Sequence, residues 1–259
     1  MRVCPICNCN EYSVFMNENA YSNRDHIQLL KCSNCGFVYS KTSEFDYENF
    51  GQGAVTASLS DVSELSKTQG VSKLVDEIIS KSAIYEGNVL DFACGMGLIL
   101  VEFMNKGYNV IGIDKSKAFR DFHTENGIFS VPSLVEINDK KNYFDLIILK
   151  DILEHLDDPV GLLEEVVTYL KPSGFLYVRV PNRYAYPFEL GAVDTKSHIN
   201  HFTPSELQNI LKKSGLLKHE FIKIYDVRSK AGRMYNSLFW KLRYVVPMYH
   251  QISILCKKH

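Results

Sequence analysis

Four cysteines near the N-terminus have the spacing of a metal site. Cys4 and Cys7 form one Cys-x2-Cys pair, and Cys32 and Cys35 form a second pair. Two intervening residues let both sulfurs of a pair turn towards one ion, and two pairs complete a tetrahedral thiolate site for zinc. Because no position stays open for water, we expect a structural rather than a catalytic zinc.

The residues that follow the two pairs support this interpretation. Asn8 follows the first pair and Gly36 the second, and both residue types tolerate the left-handed backbone that turns amide groups towards the sulfurs. Cys9 is a spare thiol, and we interpret it as free rather than as a substitute ligand. A region of about fifty residues has too small a hydrophobic core to fold well alone, so the metal is expected to stabilise it.

A second chemical signal is a turn of small residues at 91–97, which follows an apolar run and leads into a helical pattern. Small residues let a ligand approach the backbone closely, and the start of a helix presents amide groups to it. Roughly twenty residues later Asp114 ends the next apolar run, where a carboxylate can accept both hydroxyls of a ribose. The pattern therefore predicts a nucleotide-like cofactor.

This turn resembles the first motif, D-x-G-x-G-x-G, of the class I S-adenosylmethionine-dependent methyltransferases, with Ala93 in place of the first glycine. The resemblance implies a cofactor site formed by Asp91, Ala93, Cys94, Gly95, Gly97, Asp114, Lys115, Leu149 and Lys150. Within it the residues of the turn line the methionine portion, and Asp114 binds the ribose. A nicotinamide-binding fold is the competing interpretation, but the third glycine of its motif is missing because Leu98 follows Gly97.

Two further regions carry the same resemblance. Residues 145–159 resemble the fourth strand and following loop of the ubiquinone-type, small-molecule branch, and residues 170–174 resemble the turn before its fifth strand. The cysteine-rich N-terminus is similar to the zinc ribbon that precedes this domain in bacterial methyltransferases acting on sugars and surface-polysaccharide precursors.

Three histidines are candidates for acid–base catalysis, because methyl transfer to a hydroxyl requires removal of a proton and imidazole titrates near neutral pH. His198 matches the histidine of the family's H-x-x-x-F-T pattern, and we interpret it either as this base or as a brace for its loop. His155 lies in the loop after the fourth strand, where bracing a helix start is the alternative. His201 is the third candidate, although packing is its simpler role. A His198/His201 metal pair lacks a third ligand in the sequence.

The elements that position these residues alternate along the chain. Apolar runs predict strands at 88–93, 109–113, 144–149, 175–180, 219–225 and 251–256. Helical spacing of apolar residues predicts helices at 71–84, 98–106, 116–125, 160–170 and 205–214. Alternating strands and helices predict an α/β fold with a doubly wound, mostly parallel sheet. The resemblance implies seven strands, the last of them antiparallel.

We expect three regions along the chain. Residues 1–45 form the zinc ribbon, residues 46–70 a linker or lid, and residues 71–259 the S-adenosylmethionine-binding domain. The domain is expected to contain a basic helical insertion near 228–246. That helix is interpreted as packing on the sheet edge, covering the pocket, meeting phosphates, joining a homodimer or resting on a membrane surface.

Composition excludes several classes of protein. The chain has 259 residues, of which 46% are hydrophobic and 23% charged, as in ordinary globular domains. No apolar stretch is long enough to cross a bilayer, and the start has no apolar segment of a secretory signal. We therefore expect a cytoplasmic protein whose cysteines are thiols or metal ligands.

Charge is unevenly distributed and bears on the partner. Residues 211–259 carry a net charge of +9, whereas residues 1–50 carry −2. A basic end suggests an anionic partner, but an acidic ribbon is a poor surface for a nucleic-acid backbone. We therefore predict methylation of an anionic small molecule, at oxygen of a sugar or of a phosphate-linked precursor of a polysaccharide or secondary metabolite. The alternatives are an RNA methyltransferase that uses the ribbon and basic tail, a sugar C-methyltransferase, and an interaction module on a catalytically silent domain.

Overall fold

The computed structural model describes residues 2–17, 28–41, 59–68, 70–183, 198–221 and 251–259. The strands are β1 (Tyr12–Asn17), β2 (Gln28–Cys32), β3 (Val38–Ser40), β4 (Asn88–Phe92), β5 (Asn109–Ile113), β6 (Ser130–Val131), β7 (Phe144–Lys150), β8 (Leu170–Pro181), β9 (Asn200–His201), β10 (Leu216–Phe221) and β11 (Gln251–Lys258). The α-helices are α1 (Leu59–Thr68), α2 (Val71–Ser82), α3 (Leu98–Asn105), α4 (Lys117–Glu125), α5 (Pro159–Tyr169) and α6 (Pro204–Lys213). The predicted basic insertion near 228–246 lies outside the described residues.

A seven-stranded sheet forms the centre of the molecule, in the order β10-β11-β8-β7-β4-β5-β6. The five strands β8, β7, β4, β5 and β6 run parallel to one another, whereas β11 is antiparallel to both β8 and β10. The predicted α/β fold is therefore confirmed, including the antiparallel last strand. Strand β6 has two residues, which is too short for a hydrophobic pattern to reveal.

Helices cover both faces of this sheet. The side chains of a strand alternate between its two faces, and in β7 both sets are apolar and pack against helices. Ile147 and Leu149 of β7 belong to the core cluster that contains buried residues of α5 and α6. Leu146 and Ile148 belong to a second cluster with α2 and α3. Burying each such side chain contributes about 1.5–3 kcal/mol, so this doubly covered strand rigidly supports the residues at its carboxyl end.

The N-terminal region is joined to the main domain by a second sheet, with strand order β1-β2-β3-β9. Strand β9 comes from a distant part of the chain, and its His201 and Asn200 pair with Val38 and Tyr39 of β3. The rings of Phe37 and Phe202 lie 5.2 Å apart beside this pairing. The predicted region 1–45 therefore shares both a sheet and a core cluster with the domain.

The second half of the predicted linker, 46–70, is a helix. In α1, Val62 is fully buried and belongs to a cluster with residues of α3 and α4. Ser66 donates a 2.5 Å hydrogen bond from its hydroxyl to Glu102 of α3. Residues 59–68 of the region predicted as a linker or lid therefore form a helix that packs on the domain, and the serine-rich composition of α1 obscures its buried positions in the sequence. Residues 46–58 lie outside the described chain.

Among the described residues, no helix combines the length and the apolar composition needed to cross a membrane.

Candidate functional site

The turn after β4 forms an open cradle at the carboxyl edge of the sheet. Ala93, Gly95 and Gly97 all have positive φ angles, of 58°, 54° and 77°, and helix α3 begins at Leu98. A Cβ atom on Gly95 would meet no protein atom within 4 Å. The face of the turn at Gly95 is therefore open to a ligand, as the sequence pattern predicts.

Asp114 connects this turn to the end of β5. Its Oδ2 accepts a 2.8 Å hydrogen bond from the Gly95 amide, and its Oδ1 accepts one of 2.8 Å from the Ser116 amide. A carboxylate oxygen can accept a second hydrogen bond, so Asp114 keeps capacity for the hydroxyls of a ribose. Lys115 is exposed, and its carbonyl accepts a hydrogen bond from Arg120.

Asp91 is a buried carboxyl group at the floor of the cradle, with 3% of its surface exposed. Burial raises its pKa, the positive charge of Lys150 lowers it, and the negative charge of Asp114 raises it, with a result of about 7. A cationic ligand group beside Asp91 would favour its ionised form. A buried carboxyl group under an open turn of backbone fits the cationic methionine portion of S-adenosylmethionine.

The other predicted cofactor residues occupy different environments. Cys94 lies against β5, where a Cβ atom on Gly112 would come within 2.8 Å of its Sγ, and burial raises the pKa of the thiol. Leu149 is fully buried in the core, so no part of this predicted cofactor residue is open to a ligand. Lys150 places its Nζ 3.0 Å from Oδ2 of Asp151.

His123 supports the turn from below and was not identified in the sequence. It is fully buried on α4, and its Nδ1 lies 2.9 Å from the hydroxyl of Ser130. A Cβ atom on Gly97 would come within 3.1 Å of its Nε2, and burial lowers its pKa. A neutral imidazole thus packs directly beneath the glycine turn, at a place that no sequence motif marks.

Asp151 turns the chain sharply where β7 ends. It has a φ of 57°, and its carboxylate accepts two hydrogen bonds from the guanidinium of Arg179 on β8. The Asp151 amide in turn donates to the carbonyl of Arg179 over 2.9 Å. Although burial raises the pKa of Asp151, Arg179 and Lys150 lower it further, to about 2. This ion pair fixes the start of the loop that carries His155.

The structure brings His155 and His198 together and adds Glu154 to them. The two imidazole rings have centroids 4.9 Å apart, and His155 Nε2 lies 3.9 Å from Glu154 Oε1. Glu154 is 1% exposed, and neither of its oxygens has a hydrogen-bond partner among the described residues. Burial, reinforced by the charge of Asp151, raises its pKa well above the usual value.

This cluster offers two kinds of chemistry. An imidazole at its exposed side can accept a proton from a hydroxyl group. The three side chains also place one potential ligand atom each within 4.8 Å of one another, which is compatible with a divalent metal ion. Glu154 and His155, rather than His201, are therefore the potential metal-binding neighbours of His198.

His201 does not fit the catalytic role predicted for it. It is fully buried in β9. Burial, together with the charges of His198, Arg183 and Arg2, lowers its pKa to about 3. A group that stays neutral at physiological pH and has no access to solvent cannot exchange protons with a substrate. Both residues of β9 are buried, so the strand holds His201 in the protein interior.

The four predicted metal-binding cysteines converge on one point. Cys4 Sγ lies 3.6 Å from Cys35 Sγ, and Cys7 Sγ lies 3.6 Å from Cys32 Sγ. All four sulfurs are within 4.8 Å of one another. Zinc–sulfur bonds of about 2.3 Å in a tetrahedron place sulfurs about 3.8 Å apart, so the cluster fits a zinc ion.

The backbone around the cysteines has the predicted form. Asn8 and Gly36 have φ angles of 57° and 75°, which confirms the left-handed positions expected after each pair. Burial raises the pKa of Cys32, but the amides of Cys35 and Asn34 lower it further, to about 7. Cys9 lies outside the cluster and directs its thiol to the carbonyl of Glu11.

Comparison with known proteins places this architecture among methyltransferases. The family described as a methyltransferase domain matches residues 63–220. The ubiquinone biosynthesis O-methyltransferase of Rhodopseudomonas palustris (strain TIE-1) is 28% identical over 173 residues, covering 60% of this chain and 65% of that protein. The Bradyrhizobium sp. (strain ORS 278) protein of the same name is 32% identical over 111 residues, covering 40% of this chain and 44% of its own. The chain thus spans less than two thirds of the length of these relatives.

Solved structures share the fold at lower identity. A SAM-dependent methyltransferase from Archaeoglobus fulgidus superimposes with a TM-score of 0.54 and 22% identity, covering 72% of this chain and 94% of that one. The [4+2]-cyclase SpnF superimposes with a TM-score of 0.51 and 16% identity, covering 73% and 81%. Because SpnF is named as a cyclase, this fold also supports other reactions, and an argument for function has to rest on the site rather than on the fold.

Proposed function

Because the chain belongs to the methyltransferase domain family, whose match covers residues 63–220, we propose that it transfers a methyl group from S-adenosylmethionine to a hydroxyl oxygen of a small molecule. The observation that carries this proposal is the pairing of His155 with His198 at the same edge of the sheet as the glycine turn. The relatives named as O-methyltransferases support an oxygen acceptor.

The cofactor would occupy the cradle formed by the turn after β4. S-adenosylmethionine supplies a methyl group on a sulfonium, whose thioether is a good leaving group. Asp91 would bind the cationic methionine portion, the open face of Gly95 would admit it, and Asp114 would bind the ribose. Holding both substrates in line supplies much of the rate enhancement in such a displacement.

The acceptor would be deprotonated by His198. Its imidazole is half-buried and lies beside His155, whereas Glu154 lies behind the pair in the protein interior. Imidazole is the side chain that most often serves as a general base, and a half-buried one can take a proton from a hydroxyl group as the methyl group arrives. His155 would orient His198 through the contact between their rings.

For the acceptor we favour a sugar or a phosphate-linked precursor of a polysaccharide or secondary metabolite. The similarity of the N-terminal region to ribbons of sugar methyltransferases supports this class of acceptor. Methylation at a carbon atom of a sugar is the alternative. We further propose that Cys4, Cys7, Cys32 and Cys35 hold a structural zinc ion, because the sulfur distances fit one.

An RNA acceptor is the weaker alternative. Arg2 is one of four basic residues among residues 1–50, and its guanidinium is engaged with carbonyl groups of the main domain. The edge of the ribbon sheet at β3 is paired with β9 of the main domain. These contacts leave the ribbon with little positive surface for phosphate groups.

The proposed base is tested by comparing His198→Gln with the control His259→Gln, which changes an exposed histidine at the end of the chain. Transfer of the methyl group from labelled S-adenosylmethionine is measured together with the affinity for S-adenosylhomocysteine. We expect His198→Gln to slow transfer by about 10²–10⁴-fold, with unchanged affinity, and the control to behave as wild type. Wild-type turnover in His198→Gln would refute the assignment.

A further inference from the structure

Arg2, at the start of the ribbon, links the two loops that carry the histidines. Its Nη1 donates to the carbonyl of Ile199 over 3.0 Å, and its Nη2 donates to the carbonyl of Leu156 over 3.1 Å. Ile199 follows His198, and Leu156 follows His155. One guanidinium group therefore binds the backbone immediately next to each histidine.

Asn200 completes the connection between the two loops. Its Oδ1 accepts a 2.9 Å hydrogen bond from Nη2 of Arg2, and its Nδ2 donates to the carbonyls of Leu153 and Leu156 over 2.8 and 2.7 Å. The Ile199 amide donates to the carbonyl of Glu154 over 2.8 Å. The loops thus form a continuous hydrogen-bonded unit, and Arg2 contributes its contacts from the ribbon.

The chemistry of arginine suits this position. The guanidinium presents five donors in a planar fork and remains charged, so it can bind several oxygen acceptors at once. The Arg2 side chain is 12% exposed, and its Nε lies 3.5 Å from Asp157. A lysine ammonium is a single point and cannot span the carbonyls of both loops in the same way.

The fold of the ribbon does not depend on these contacts alone. Phe37 packs against Phe202, and β3 pairs with β9 independently of Arg2. Four carbonyl or amide oxygens nevertheless surround the guanidinium, and all four belong to residues one or two positions after His155 or His198. This selective placement indicates a role in the geometry of the site.

We propose that Arg2 is a positioning residue for methyl transfer, which rests on the function proposed above. Arg2 keeps the His155 loop and the His198 loop at a fixed separation, so that His198 faces the acceptor. Cys4 lies two residues further along the chain, and its backbone is fixed by the cysteine cluster. The ribbon therefore acts as a support for the catalytic loops.

The test compares Arg2→Met and Arg2→Lys with the control Lys31→Met, which removes an exposed positive charge from the same ribbon. In the full-length protein, zinc content and affinity for S-adenosylhomocysteine are measured first. The NMR signals of the His155 and His198 imidazoles and the amide exchange of residues 199–201 are then recorded. The rate of methyl transfer is measured with saturating acceptor.

We expect both Arg2 variants to keep their zinc and their cofactor affinity. In Arg2→Met the two imidazole signals should shift or broaden, amide exchange should accelerate at least tenfold, and kcat should fall about 100-fold, because small misplacements of reacting groups are costly. Arg2→Lys should give the same changes to a smaller extent, and Lys31→Met should match wild type.

Wild-type imidazole signals and amide exchange in Arg2→Met would overturn the proposal. If Arg2→Met fails to fold, Arg2→Lys decides in the same way. The imidazole and exchange measurements need no acceptor, so they remain informative even if wild-type protein methylates nothing. In that case the proposed function fails, whereas the positioning by Arg2 is still confirmed or refuted.

Discussion

Ala93 is a residue whose backbone has the left-handed conformation that glycine adopts most easily. Its φ is 58°, at the position where the methyltransferase motif has its first glycine. The turn requires a left-handed backbone there, which explains the glycine of the motif, although this chain has alanine. A residue with a Cβ pays about 1–2 kcal/mol for this conformation. The strain lies directly beside the proposed methionine site.

We predict that Ala93→Gly stabilises the protein by about 0.5–1 kcal/mol, because relief of the strain exceeds the entropic cost of glycine. Urea unfolding measures the change, and the affinity for S-adenosylhomocysteine should be at least that of wild type. Ala83→Gly is the matched control, since exposed Ala83 also has a positive φ, of 54°, at the end of α2. A loss of stability in Ala93→Gly alone would show that the methyl group has a packing role.

At the residue scale, the sequence predicted which residues lie in the candidate site better than it predicted which other side chains surround them. Asp91, Gly95 and Asp114 lie where their motif implied, and the family match confirms the resemblance on which they rested. His123 and Glu154 were not identified, because their roles depend on which distant residues surround them. Arg179 left a signal that was not used, since a charged residue interrupts the apolar run at 175–180.

At the scale of elements, the conformation of the chain at the end of β7 depends on contacts with the neighbouring strand β8. Asp151 and Arg179 form hydrogen bonds to each other through both side chains and backbone. The pair aligns the loop at 151–156 against the sheet, and this loop carries His155. Its removal should therefore affect stability more than an ordinary surface ion pair.

We predict that Arg179→Met lowers the free energy of unfolding by roughly 2 kcal/mol, between the values for buried and surface ion pairs, because it leaves a carboxylate whose side chain is 31% exposed without its main partner. The control is Lys117→Met, which breaks an exposed pair with Asp121 on α4 and should cost about 0.3–0.5 kcal/mol. Both values come from urea unfolding. If Arg179→Met cost as little stability as Lys117→Met, Lys150 alone would be sufficient to fix the position of the Asp151 carboxylate.

Periodicity was sufficient for the main sheet and its helices, except for strand β6 and helix α1, but not for the ribbon. The predicted strands at 88–93, 109–113 and 144–149 match β4, β5 and β7 closely. The three-residue β3 and the two-residue β9 are too short to show alternation. Their pairing joins residues far apart in the chain, and no local pattern encodes that contact.

At the scale of the whole molecule, the ribbon and the domain share one core. Cys4, Cys32 and Tyr39 belong to the same hydrophobic cluster as residues of β7, β8 and α6. Loss of the proposed zinc would therefore disturb the loops that carry His155 and His198 as well as the ribbon. The cysteine spacing indicated the metal site, but no pattern in residues 1–45 indicated their contact with the domain.

We predict one zinc ion per chain in wild-type protein, and its loss in Cys35→Ser. The control Cys9→Ser should keep the metal, because Cys9 lies outside the cluster. Elemental analysis measures the metal, and thermal unfolding should show a clear destabilisation of Cys35→Ser, since metal binding contributes to folding. Zinc retained in Cys35→Ser but lost in Cys9→Ser would contradict the assigned ligand set.

The proposed function requires that the methyl group goes to a small molecule. The most direct measurement incubates the purified protein with labelled S-adenosylmethionine and either a pool of nucleotide sugars and phosphorylated metabolites or total RNA. We expect label in the small-molecule fraction, abolished by His198→Gln, and none in RNA. Label in RNA, or in neither fraction while the cofactor still binds, would contradict it.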